Sequence, residues 1–117
     1  MNDVPVTLDR ERRIRYGIRD LRDLERVTQK PVGDVMRDFT NIGAEALSTI
    51  LWAGLKHEDG KLTIDRTLDL VDKYIEKGQE ISDLRTAINQ ALLLSGYFGK
   101  RPKEQTEEEI LRRPPEL

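Results

Sequence analysis

The chain has 117 residues and no cysteine, which excludes disulfide bonds, thiolate metal sites and cysteine nucleophiles. It also has only one Trp and one His. No apolar run approaches the roughly 20 residues that a membrane-spanning helix needs. The opening M-N-D-V-P-V has neither a basic region nor an apolar stretch, so no secretory signal is visible. Together these absences predict a soluble cytoplasmic protein.

Charge is plentiful and unevenly spread. Charged residues make up 36% of the chain and hydrophobic residues 37%, which predicts a small core of helices with one apolar stripe each. Residues 10–26 hold seven Arg against four acids, whereas residues 57–90 hold eight acids against five bases. This separation of charge can steer a partner or self-association.

The N-terminal part changes its hydrophobic period once. Residues 4–8 and 12–16 alternate apolar and polar side chains around the polar turn 9–11, which predicts a small β-hairpin. From Gly17 the period becomes helical, and we expect this helix to end before Pro31. A shorter segment follows, with Asp34 as its predicted N-cap. The predicted stripe of the first helix comprises Ile18, Leu21, Leu24 and Val27.

Three further helices are predicted. One ends at Lys56 and carries Gly54 within its apolar face; this glycine costs about 1 kcal/mol relative to Ala, so we expect another helix to approach closely there. Thr63 is the predicted N-cap of the next helix and Gly78 follows its end. Ser82 caps the last helix or lies just inside it, and Gly96 ends it. The three predicted stripes comprise Leu47, Ile50, Leu51, Gly54 and Leu55; Ile64, Leu68, Val71 and Ile75; and Ile81, Leu84, Ile88, Ala91 and Leu92.

The last nineteen residues differ in character. Residues 99–117 contain three prolines and few aliphatic side chains, which predicts a flexible, disordered polar tail. The predicted fold is therefore mainly α: a small N-terminal β-hairpin, a bundle of about four short helices over residues 1–98, and a disordered C-terminal tail.

The segment His57-Glu58-Asp59 is the only place where a His meets two carboxylates. Adjacent residues on a helix point about 100° apart and cannot share a metal ion. A cationic helix end followed by a turn at Asp59-Gly60 explains these residues better. No nucleophile–base pair, glycine-rich phosphate loop or paired-carboxylate signature accompanies them. The sequence thus predicts no enzymatic activity, no metal site and no cofactor.

Two regions are candidates for partner contact. The arginines of residues 10–26 are most simply a solvated face; a charged partner surface is the main alternative, with DNA contact as its minor share. The run from Leu92 to Phe98 is either wrapped by other helices or left as an apolar patch for a partner or a second copy. The predicted partner-binding residues are Trp52, Leu93, Leu94, Tyr97 and Phe98.

The order of four segments resembles a known family. They are R-Y-G-I-R-D-L-R-D-L-E-R-V-T-Q-K-P (15–31), L-S-T-I-L-W-A-G-L-K-H-E-D (47–59), L-T-I-D-R-T-L-D-L-V-D (62–72) and the ending at 88–98. Residues 4–98 as a whole resemble the small tail assembly chaperones of tailed bacteriophages, which include a related protein of gene transfer agents.

The resemblance implies a non-enzymatic role for a phage or prophage protein. It implies that the chain binds the tape measure protein, keeps it soluble and helps to recruit tail tube protein subunits. It also implies a place in the cytoplasm of the bacterial host, absence from the mature virion, and a short form whose tail lies where a frameshifted extension diverges. Self-association is a further expectation, whereas nucleic acid and membrane partners are not expected. The alternative is a small helical DNA-binding or regulatory protein that uses its Arg-rich segment.

Overall fold

The computed structural model describes residues 2–37 and 39–99. A two-stranded hairpin precedes a set of helices, so the predicted mainly α fold with an N-terminal hairpin is confirmed. The predicted disordered tail lies outside the described residues from residue 100 onward. The elements are β1 Val4–Thr7, β2 Glu11–Ile14, α1 Ile18–Thr28, α2 Val32–Arg37, a 3-10 turn at Phe39–Asn41, α3 Ala44–Leu55, α4 Ile64–Glu76 and α5 Ile81–Leu94.

The hairpin is antiparallel, and its register pairs Val4 with Ile14 and Thr7 with Glu11. The alternating pattern directs one face of each strand inward, so that Val4 and Ile14 are buried. That face packs against α3 and α5. A two-stranded sheet is marginal in water, and these helices supply the apolar surface that it needs.

Helix α3 lies at the centre of the molecule and contacts β2, α1, α4 and α5. Its predicted stripe is buried, but Ser48, Thr49 and Ala53 are buried as well, so the helix is enclosed almost all round. The Thr49 hydroxyl donates to the Glu45 carbonyl at 2.8 Å, which satisfies this polar group inside the core.

Gly54 marks a close approach, but the neighbour is the hairpin and not the predicted second helix. A Cβ at this position would lie 2.7 Å from Ile14 Cγ2 and 2.7 Å from Tyr16 Cζ. The Arg15 amide donates to the Gly54 carbonyl at 2.9 Å, and the Tyr16 hydroxyl donates to the Ile50 carbonyl at 2.7 Å. The missing side chain therefore lets the end of β2 lie directly on α3.

The predicted stripe of α1 is wrong at both ends. Leu21 and Leu24 are buried, whereas Ile18 is 67% exposed and Val27 is 48% exposed. Four residues spaced by three drift by about 60° per step around a helix, so they cannot all face one core.

The predicted stripe of α4 is rotated by roughly 80°, at 100° per residue. Ile75 is 51% exposed, and the buried residues are Thr67, Leu70, Val71 and Tyr74. Thr67 can face the core because its hydroxyl donates to the Thr63 carbonyl at 2.9 Å. That burial brings the flanking Leu70 and Tyr74 inward.

Most predicted helix ends are confirmed. Thr63 accepts from the Arg66 amide at 3.1 Å, and Gly78 and Gly96 have positive φ just after their helices. The prediction of Asp34 as the N-cap is wrong, because α2 begins two residues before it, at Val32. The Val32 amide donates to Glu25 Oε2 at 2.8 Å. Ser82 lies inside α5. None of the helices in the described part of the chain combines the length and apolar character that crossing a membrane requires.

Candidate partner-binding groove

His57 and Glu58 hold the outer edge of the hairpin. His57 Nε2 donates to the Arg13 carbonyl at 2.8 Å, since a carbonyl can only accept, and Glu58 Oε1 accepts from the Arg13 amide at 2.8 Å. The predicted helix end is confirmed, because α3 stops at Leu55. The contact with a residue more than 40 positions away was missed, since local spacing carries no signal for it. We call residues 12–16 and 54–59 together the hairpin seam.

Arg12 and Arg13 belong to the fold. Arg12 is 4% exposed; its Nε lies 2.7 Å from Asp9 Oδ1 and its Nη2 lies 3.0 Å from Asp9 Oδ2. Arg12 Nη1 is 3.6 Å from Asp59 Oδ2, and Arg13 Nη1 is 3.0 Å from Asp3 Oδ1. The hydrogen bonds from Arg12 lower the pKa of Asp9 to about 2. These two arginines are therefore engaged within the protein.

The arginines of α1 are exposed, whereas two of its acids, Asp20 and Asp23, contact Lys56 at the end of α3. Lys56 Nζ lies 2.6 Å from Asp20 Oδ1 and 2.9 Å from Asp23 Oδ2. The hydrogen bond from Lys56 is the main cause that lowers the pKa of Asp23. Asp23 also pairs with Arg22, whose Nη2 lies 3.1 Å from Asp23 Oδ1. The three arginines of α1 are thus matched by three acids on the same helix.

Only part of the predicted apolar patch at the end of α5 is exposed. Leu93 is 42% exposed, Tyr97 54% and Phe98 39%, whereas Leu94 is 3% exposed and belongs to the core. Leu94 follows Leu93 by about 100° on the helix, which turns it inward. The rings of Tyr97 and Phe98 meet edge to face, with centroids 5.2 Å apart. Leu94 is therefore not accessible to a partner in this structure, whereas the other three side chains are exposed.

Tyr97 lines a surface depression against α1, which we call the α1–α5 groove. Two adjoining parts of ≈ 380 and ≈ 190 Å³ share Ile18, Leu21 and Tyr97. Its lining comprises Tyr16, Ile18, Arg19, Leu21, Arg22, Glu25, Val32, Ser95, Gly96 and Tyr97. The lining is mainly apolar, and its charged members are Arg19, Arg22 and Glu25. The sequence analysis did not predict this groove, because it placed Ile18 in the apolar stripe of α1.

Trp52, the fifth predicted contact residue, lies apart from the groove lining. Its ring is partly buried, its Nε1 donates to the Leu62 carbonyl at 2.9 Å, and Lys56 Nζ lies 5.9 Å from the ring centroid. These contacts tie α3 to the loop before α4. The prediction of partner contact at Trp52 stays a prediction.

A second cleft of ≈ 390 Å³ lies where α1, α2 and α3 meet. Its apolar lining includes Val27, Val35 and Ile42, but Lys30, Asp34 and Glu45 give it mixed charge. The α1–α5 groove is the better candidate for protein contact, because the exposed ring of Tyr97 lies beside the exposed aliphatic side chain of Ile18. Aromatic side chains and Arg are the types enriched where binding energy concentrates in protein interfaces.

No group of three or more His, Asp or Glu side chains suited to a metal ion occurs among residues 2–37 and 39–99. Comparisons with protein-family models, with curated proteins and with solved structures found no match to this chain.

Proposed function

We propose that the chain is a phage or prophage tail assembly chaperone that binds helical segments of the tape measure protein in the α1–α5 groove. The observation that carries the proposal is the exposure of Ile18 and Tyr97, which both line one apolar depression. The order of the four family-like segments supports the choice of partner. On this proposal the chain acts in the host cytoplasm and leaves before the virion is complete.

The groove suits one face of an amphipathic helix. Such a helix presents apolar anchors at i, i+3, i+4 and i+7, which fit a depression between helices. Ile18 and Leu21 form the floor, and Tyr97 supplies a rigid ring at its side. An open groove of this size makes few contacts at once, so one chaperone can bind many segments of a long helical protein in turn.

Co-expression with the tape measure gene from the same gene cluster tests the proposal. We expect a larger soluble fraction of the tape measure protein with this chain than without it, measured in clarified lysate. The Tyr97→Ser variant removes the ring at the groove and should lose this effect. Ile75→Ser is the matched control, because Ile75 is 51% exposed on α4 and does not line the groove. Equal solubility with and without the wild-type chain contradicts the proposal.

Recruitment of the tail tube protein and self-association are parts of the same proposal. The side chains available for these contacts at the end of α5 are Leu93 and Phe98. Light scattering on the Leu93→Ser, Phe98→Ser double variant separates the two roles. A lower mass than that of the wild type shows self-association through Leu93 and Phe98. An unchanged mass argues against self-association through these two side chains.

A further inference from the structure

Helix α5 carries no charged side chain after Arg85. Residues 86–98 form the longest run of the chain without Asp, Glu, Lys or Arg, although charged residues make up 36% of the whole. The exposed faces of α1 and α4 differ, since each carries at least three charged side chains. Charged residues are depleted in the buried core of protein interfaces, so the exposed face of α5 has the composition of such a core.

Four exposed side chains form one stripe along this face, which we call the neutral stripe. It comprises Thr86, Asn89, Gln90 and Leu93. At 100° per residue, the four lie within about 100° of one another around α5. Leu93 is the aliphatic member and is 42% exposed. The Thr86 hydroxyl donates to the Ser82 carbonyl at 2.9 Å, so an apolar side chain can cover Thr86 without leaving its hydroxyl unpaired.

A cleft lies beside the first half of the neutral stripe, and we call it the α5 cleft. Its volume is ≈ 310 Å³, and its lining comprises Met36, Arg37, Phe39, Thr86 and Asn89. Arg37 is its charged member, and Arg37 Nη2 lies 3.1 Å from Asp34 Oδ1. A leucine side chain can therefore contact Met36 and Thr86 in this cleft without burying an unpaired charge.

A second copy of the chain complements both the stripe and the cleft. In a two-fold contact the same patch is used by both copies, so the patch must be complementary to itself. When two α5 helices lie antiparallel, a two-fold axis between residues 89 and 90 sets Asn89 of each copy beside Gln90 of the other. Amide side chains both donate and accept hydrogen bonds, so these two can pair. The same axis sets Leu93 of each copy opposite Thr86 of the other, at the α5 cleft.

We propose that two copies of the chain associate through an antiparallel α5 pair, with each Leu93 in the α5 cleft of the other copy. The inference rests on the proposed function for the expectation of self-association, and it assigns the surface and the symmetry. The stripe is only about 10 Å long, so the interface is small and the pair forms at high protein concentration. Such a dimer carries two α1–α5 grooves, so it can hold one long partner at two segments.

Single cysteines test the symmetry, because the chain has no cysteine of its own. Asn89 lies beside the axis, so Asn89→Cys should form a disulfide-linked dimer under mild oxidation. Thr86 and its own copy lie about 10 Å apart along the helix axes, as do Leu93 and its copy, which is beyond the reach of a disulfide. We expect neither Thr86→Cys nor Leu93→Cys to cross-link alone, whereas an equimolar mixture of both should cross-link. Non-reducing electrophoresis measures the dimer band.

Light scattering over a concentration series measures the association itself. The wild-type mass should rise from 13.5 kDa toward twice that value. Gln90→Glu brings two carboxylates to the axis, so it should lower the mass toward that of the monomer. Gln79→Glu is the matched control, because Gln79 is exposed between α4 and α5 and lies off the stripe. This control should keep the wild-type mass.

Three outcomes overturn the proposal. A wild-type mass that stays at 13.5 kDa up to about 1 mM protein means that no pair forms. Cross-linking of Thr86→Cys alone or of Leu93→Cys alone means that the helices meet in another arrangement. Failure of Asn89→Cys to cross-link means that the axis does not pass between residues 89 and 90. The tape measure protein is absent from both measurements, so failure here is distinct from failure of the co-expression experiment.

Discussion

The hairpin seam and the α1–α5 groove use the same residue types in opposite ways. In the seam, Tyr16 is 3% exposed and its hydroxyl is hydrogen-bonded, whereas Tyr97 in the groove is 54% exposed. Arg12 in the seam lies between two carboxylates, whereas Arg19 lies at the surface of α1. The side chains of the seam find their partners within the chain, whereas the groove leaves Ile18 and Tyr97 exposed.

This difference separates stability from binding. The seam joins β2 to α3 through buried contacts and hydrogen bonds, so substitutions there should lower the free energy of unfolding. In the groove, the side chains of Ile18 and Tyr97 are exposed, so substitutions at these two positions should spare the fold and affect partners. Exposed apolar groups clustered at a depression indicate an interaction surface. Four substitutions test the separation.

Gly54→Ala should have the largest effect on stability. The new Cβ would lie 2.7 Å from both Ile14 Cγ2 and Tyr16 Cζ, so the hairpin must move away from α3. Overpacking costs about 1–3 kcal/mol, against the roughly 1 kcal/mol that Ala gains over Gly in a helix. We expect a net loss of up to about 2 kcal/mol, because the new Cβ meets two buried side chains at once. Urea unfolding followed by circular dichroism measures the loss.

Gly33→Ala is the control for this prediction. Gly33 lies within α2, and a Cβ there meets nothing within 4 Å. The same change of residue type should therefore stabilise the protein, by up to about 1 kcal/mol. Destabilisation by both substitutions would mean that the close approach at Gly54 is not the cause.

Tyr16→Phe should have the second largest effect. It removes the hydrogen bond to the Ile50 carbonyl, which is worth about 0.5–1.5 kcal/mol. Burial raises the pKa of the Tyr16 hydroxyl well above its usual range, so the native protein holds this proton when the unfolded chain loses it. The free energy of unfolding of the wild type should therefore fall as the pH rises above about 10. The Tyr16→Phe variant lacks this hydroxyl, so it should not show this loss.

The stability gap between wild type and Tyr16→Phe should therefore narrow in denaturant unfolding as the pH rises from about 9 to about 11. Tyr97→Phe at neutral pH is the control for loss of a hydroxyl, and it should change stability by less than about 0.5 kcal/mol. A gap that stays constant across this range would argue against a buried, protonated Tyr16.

Local signals in the sequence predicted the elements and most of their ends. Alternation at residues 4–8 marked the hairpin, Thr63 capped its helix, and Gly78 closed the next turn. These features depend on neighbours within about four residues, so a single sequence contains them. Asp34 failed because the α2 start is set by Glu25, which reaches across from α1.

Long-range contacts were beyond this kind of inference. The spacing showed that Gly54 needs a close neighbour, but not that the neighbour is the hairpin. The bonds from His57 and Glu58 to Arg13 join residues more than 40 positions apart. The sequence did not predict the groove either, because the groove joins the start of α1 to the end of α5, which are far apart in the chain. Leu93 and Leu94 lie about 100° apart around α5. Which of the two is buried depends on the helices and strands that pack against α5.

Asp9→Asn should have a smaller effect, limited to the turn between β1 and β2, where Asp9 contacts Arg12 of the seam. Asp9 receives two hydrogen bonds from Arg12, but its side chain is 34% exposed, and solvent-screened pairs contribute about 0.2–1 kcal/mol. The pKa of Asp9 is lowered to about 2, so its contribution is complete above about pH 4 and is lost as the pH falls toward 2.

Acid unfolding followed by circular dichroism checks this prediction. The difference in stability between wild type and Asp9→Asn should vanish as the pH falls from about 4 to about 2. Glu11→Gln is a matched control, since Glu11 is an exposed residue in the same hairpin. If the Asp9→Asn gap persisted at the acid end, the Arg12 contact would not be the source of the effect.

Ile18→Ser should have the smallest effect on stability and a clear effect on binding. Ile18 is 67% exposed at the first position of α1, so its replacement should change the free energy of unfolding by less than about 0.5 kcal/mol. The same change removes an aliphatic group from the groove floor and should abolish solubilisation of the tape measure protein in co-expression. Ile75→Ser should leave both quantities unchanged. If Ile18→Ser destabilised the fold as much as Gly54→Ala, the groove would be part of the structural core and the separation of stability from binding would fail.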